Sequence, residues 1–76
     1  MVKIIFESWD IGMRKIPFTM LLNEKAGLTL QEAKNLKDKL VDNNEIIEIK
    51  IDDVTLAKEI LEDAKKLKVN GRIESY

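Results

Sequence analysis

The chain has 76 residues, with 13 basic and 14 acidic side chains, no cysteine and no histidine. That length makes one domain spanning 1–76, and the missing residue types exclude disulfides, thiolate metal sites and hydroxyl nucleophiles activated by an imidazole. The net charge is −1 and both signs are mixed along the chain, so bulk electrostatics point to neither nucleic acid nor an anionic membrane as partner.

A domain of this size buries only roughly 60–65% of the surface that its unfolded chain exposes. Its stability must come from the apolar core or from self-association. The opening Val2–Phe6 run is apolar, but Glu7 and Asp10 interrupt it too early for a signal peptide. A cytoplasmic location is the expectation.

Val2 to Ser8 predicts a strand, with Val2, Ile4 and Phe6 on one face and Lys3, Ile5 and Glu7 on the other. Trp9 to Gly12 then reads as a loop. A first helix is expected from about Arg14 to Lys25, with Pro17 in its first turn. Ile16, Met20 and Leu21 are placed on one helical face, with Phe18 and Leu22 beside it. Gly27 fits the left-handed position that follows a helix end.

The second helix has the plainest start signal. Thr29-Leu30-Gln31-Glu32 is a capping box, with Leu28 and Ala33 placed as a hydrophobic staple. Ala33, Leu36, Leu40 and Val41 form its buried stripe, and Asp42-Asn43-Asn44 ends it. Glu45 to Ile51 is the second strand, with Ile47, Ile49 and Ile51 facing one way. Asp52 or Asp53 caps a third helix that buries Leu56, Ala57, Ile60, Leu61, Ala64 and Leu67. Asn70-Gly71 is read as a turn, and Arg72 to Tyr76 as a last short strand.

The expected order is β-α-α-β-α-β. Strands with one apolar and one charged face imply a sheet covered on one side only. The fold class is therefore α+β in two layers, three helices on one face of a three-stranded, mainly antiparallel sheet.

No pattern in the chain carries catalysis. Asp52 and Asp53 lack the alternating ligands, central glycine and closing glutamate of a calcium loop, and helix capping accounts for them. Glu59, Glu62 and Asp63 lie on the solvated side of the third helix, where nothing tunes a carboxylate for acid–base work. The three glycines are isolated, so no phosphate loop is present. The expectation is a non-enzyme without metal or cofactor. Trp9 has two readings: a large aromatic folded over the core edge, or an interface anchor.

The segment Gly27 to Leu36, GLTLQEAKNL, resembles the C-terminal domain of the bacterial ribosomal large-subunit stalk protein (the L-seven/L-twelve family). Gly27, Leu28, Leu30, Glu32, Ala33, Lys34 and Leu36 match that family's pattern, and the element order agrees over nearly the whole chain. The resemblance implies a domain that recruits another protein through its first two helices. Lys15 and Lys34 fall on two of the family's basic contact positions, whereas Met20, Asn23 and Gln31 replace others. The family's anchoring domain and hinge have no counterpart in these 76 residues, so a stand-alone relative is expected. The Clp protease adaptor shares that fold, but its Asn-Asp-Asp loop and histidine are replaced here by Ser8-Trp9-Asp10-Ile11 and no histidine.

Two expectations follow. In the first, a partner protein of unknown identity docks on a surface that includes Lys15, Gly27, Leu28 and Lys34, with Trp9 as a further candidate contact. In the second, Ile5, Ile46 and Tyr76 on the open sheet face form a homodimer contact.

Overall fold

The computed structural model describes residues 2–75. Six elements follow in the expected order: β1 (Val2–Trp9), α1 (Lys15–Glu24), α2 (Leu30–Val41), β2 (Ile47–Ile51), α3 (Val54–Lys66) and β3 (Val69–Ser75). The sheet order is β2-β1-β3, with β1 antiparallel to both neighbours. The three helices cover one face, as the strand patterning requires.

The core forms where the apolar faces meet. Val2, Ile4, Phe6, Ile47, Ile49, Ile51 and Val69 supply the sheet side, and Phe18, Leu22, Ala33, Leu40, Ala57, Ile60 and Ala64 the helix side. α1 packs against α2 and α3 and reaches the sheet through Phe18, whose ring meets that of Phe6 edge-on at 5.2 Å between centroids.

β1 runs further than its alternation predicts. The register against β3 shifts between Phe6 and Ser8, leaving Glu7 as an extra residue on β1. After this bulge the pairing resumes at Ser8–Asn70 and Trp9–Val69. Trp9 is therefore a strand residue, half-buried against the core, and not a loop residue.

The last turn also lies elsewhere than predicted. Chain reversal occurs at Leu67-Lys68, where the Leu67 amide donates to the Ala64 carbonyl and Lys68 takes a φ of 71°. Asn70 and Gly71 belong to β3. β2 starts two residues later than expected. Asn44 adopts a φ of 54°, and the Glu45 amide donates back to the Lys39 carbonyl, which keeps the chain on the helix end. The described part of β3 ends at Ser75; Tyr76 lies outside the described residues.

The helix caps follow their sequence signals. The Glu32 amide donates to Thr29 Oγ1 and the Thr29 amide to Glu32 Oε1, each at 3.1 Å. Asp53 accepts from the Thr55 amide at 2.8 Å at the start of α3. Thr29→Ala removes one orphan-amide partner from α2 and should cost about 1 kcal/mol. In a domain this small, thermal unfolding monitored by circular dichroism should show a midpoint lower by about 4–8 °C.

Among the described residues, the uncovered sheet face does not expose Ile5. Ile5 is only 3% exposed, and ion pairs flank it on both sides. Lys3 bridges to Glu48 and Glu74, and Arg72 pairs with Glu7 and Glu74. Glu48 and Arg72 are the cross-strand neighbours of Ile5 itself, so their aliphatic stems cover its side chain. Ile46 remains 63% exposed just before β2. The described residues thus leave Ile46 without an exposed Ile5 beside it.

Candidate functional site: a lysine-rimmed groove between the first two helices

The exposed apolar side chains converge elsewhere. α1 carries more apolar residues than one buried stripe can hold. At about 100° per residue, Phe18, Leu21 and Leu22 share an arc about 100° wide, while Ile16 and Met20 lie about 40° apart on the other side. The structure buries the first set and leaves Ile16 78% and Met20 39% exposed. Ile16, Met20 and Leu21 therefore do not share one face as expected; only Leu21 of that trio packs inward.

α2 brings a partner to this second stripe. Its inward face is Ala33, Leu40 and Val41, which turns Leu30, 57% exposed, away from the core. Leu30, Lys34 and Lys37 are spaced so that they follow one another along one side of α2. Together with Lys15, Ile16, Thr19 and Met20 of α1 they line a groove of about 270 Å³. The Thr19 hydroxyl donates to the Lys15 carbonyl at 3.0 Å, so its polar group is satisfied within α1.

The hinge between the helices fixes their relation. Gly27 takes a φ of +75°, a left-handed conformation that suits glycine. Asn23 Nδ2 then donates to the Leu28 carbonyl at 2.9 Å, and Leu28 packs against the core edge. At the same end Lys25 pairs with Asp63 of α3 at 2.6 Å; that hydrogen bond raises the Lys25 pKa above its ordinary value.

The residues singled out in the sequence separate under the fold. Lys15 and Lys34 lie on the groove rim together. Gly27 and Leu28 shape the helix connection, and neither lines the groove. Trp9 lines a different depression with Glu7, Ser8, Leu40 and Asn44. Reading the sequence missed Ile16, Met20, Leu30 and Lys37; the surplus apolar stripe of α1 was the available signal.

The rim is electrically one-sided. All three charged lining residues are lysines, in a chain whose net charge is −1. Lys37 Nζ donates to Asp38 Oδ1 at 2.5 Å. That bond, assisted by the fields of Lys37, Lys34 and Lys15, holds the Asp38 carboxyl below its ordinary pKa. The Asp38 charge therefore persists to lower pH than that of an ordinary aspartate, and the Lys37–Asp38 pair weakens as pH falls through that lowered value.

Among the described residues no three acidic side chains come together as a metal site, and no helix is long and apolar enough to cross a membrane. Comparisons of the chain with protein-family models, with curated proteins and with solved structures find no match.

Proposed function

We propose that this is a non-catalytic protein-interaction domain that docks a partner protein through α1 and α2. The observation that carries the reading is the convergence of Ile16, Met20 and Leu30, exposed on two helices, on one groove. Exposed apolar residues scattered singly need no explanation, but side chains that line one concavity do. Exposed at 78% and 57%, Ile16 and Leu30 contribute little to the core. Large apolar groups at such positions fit a surface that is covered by something else. The resemblance of Gly27 to Leu36 to the stalk C-terminal domain lends support, since that family also uses its first two helices for recruitment; a translation-associated role would follow from it.

The homodimer reading has weaker support. Ile5 is buried and flanked by ion pairs, which leaves charged groups for a second copy to desolvate.

An Ile16→Ser, Leu30→Ser double variant tests the docking. Both positions are exposed, so circular dichroism and the unfolding midpoint should stay close to those of the parent chain. Affinity capture from the native cell extract should lose at least one protein that the parent chain retains. Identical captured sets from the folded variant and the parent would reject docking in this groove.

A further inference from the structure

Resting on that docking reading, we infer that the groove's occupant is an acidic amphipathic segment of the partner protein, which seats an apolar side chain between α1 and α2 and offers a carboxylate that takes Lys37 from Asp38. Ile16, Met20 and Leu30 supply the apolar lining of the groove, so the entering group is apolar. A volume of about 270 Å³ falls just below the range of roughly 300–1,000 Å³ that holds a whole small ligand. It suits anchor side chains projecting from a larger body, the way a helix lies in a groove.

Charge selects the flanks of that segment. Lys15, Lys34 and Lys37 line the groove as well, and among the described residues no carboxylate does. A second copy docking the same face about a two-fold axis would set lysines against lysines. Nucleic acid would be drawn by the lysines, but among the described residues no aromatic lines the groove to stack a base. A partner with carboxylates beside its apolar anchor satisfies both features at once.

Asp38 shows what this rim accepts. It already holds Lys37 at 2.5 Å from within the chain, and its acidity is strengthened by all three rim lysines. The Asp38 side chain is 37% exposed, so this end of the pair is reached from solvent. Asp38 is therefore an internal competitor: it occupies a rim ammonium and offsets part of the positive field until a partner carboxylate arrives. Removing its charge should tighten binding rather than weaken it.

The probes are synthetic helical peptides of about 16 residues with an apolar face. One is flanked by glutamates, one by lysines, and a third keeps the glutamates but has serines on the apolar face. Binding is read by fluorescence polarisation, and the site by methyl NMR shifts of Ile16, Met20 and Leu30. The glutamate-flanked peptide should bind and shift those methyls. A Lys15→Glu, Lys34→Glu variant should weaken it by about tenfold. Asp38→Asn should tighten it by about two- to fivefold at low salt, and the gain should vanish at about 0.5 M salt. The inference is overturned if the lysine-flanked or serine peptide binds as well, if a DNA oligonucleotide competes equally, if Asp38→Asn weakens binding or leaves it unchanged, or if no peptide binds. Should the lysine-flanked peptide alone shift the groove methyls, the acidic class falls while the groove stands as a docking site. The docking reading itself falls only with the capture experiment on the Ile16→Ser, Leu30→Ser variant.

Discussion

Phe18→Ala should destabilise the domain by about 3–5 kcal/mol. Phe18 is fully buried, and it is the side chain through which α1 reaches the sheet. Its ring meets Phe6 at an interplanar angle of 86°, an edge-to-face arrangement that adds to the area it buries. The total stability expected for 76 residues is only about 4–11 kcal/mol. The loss is therefore a large share of the whole, and urea denaturation should show either a much lower midpoint or a chain already partly unfolded in buffer. Phe18→Leu keeps most of the volume and should cost less than half as much. Equal losses for the two variants would mean that the Phe6–Phe18 junction does not hold α1 on the sheet.

Gly71→Ala should be the most damaging addition of a single methyl group. A Cβ there would lie 2.5 Å from the Ile5 carbonyl oxygen and 2.9 Å from Phe6 Cδ1. Neither can move freely, because Ile5 is central in β1 and the Phe6 ring is fully buried. The expected cost is about 1–3 kcal/mol or more, from separation of β3 and β1. Hydrogen exchange should quicken in the amides that join those two strands before it quickens in β2. Gly27→Ala makes the informative contrast. Nothing lies within 4 Å of its added Cβ, and only the φ of +75° opposes it, so it should cost about 1–2 kcal/mol without loosening the β1–β3 ladder. An unchanged β1–β3 exchange pattern in Gly71→Ala would show that the strands have room the structure does not display.

Several local signals, whose physics lies within a few residues, were read correctly. The Thr29/Glu32 box, the Asp53 cap, the Gly27 conformation and the alternation of β1 and β2 all act within a few residues. With them came the element order and the α+β layering. Contacts between distant segments escaped this reading. The bulge at Glu7 exists because β1 must stay paired with β3 as far as Trp9–Val69. Gly71 looked like a turn glycine, yet its role is to let the Ile5 and Phe6 backbone approach.

The candidate site divides in the same way. Lys15 and Lys34 were named from the sequence and do meet at the groove, but Gly27, Leu28 and Trp9 are placed elsewhere by the fold. The sequence by itself determined which segments are helices and strands, where the helices begin, and that Ile16, Phe18, Met20, Leu21 and Leu22 are the apolar residues of α1. It could not determine which of them face inward, because Ile16 and Met20 are as apolar as Leu21 and Leu22. The tertiary structure decided that: Phe18 is the residue that meets Phe6, and once it points at the sheet, helical geometry turns Ile16 and Met20 outward toward Leu30. The same choice set three lysines beside an apolar lining in a chain with almost no net charge.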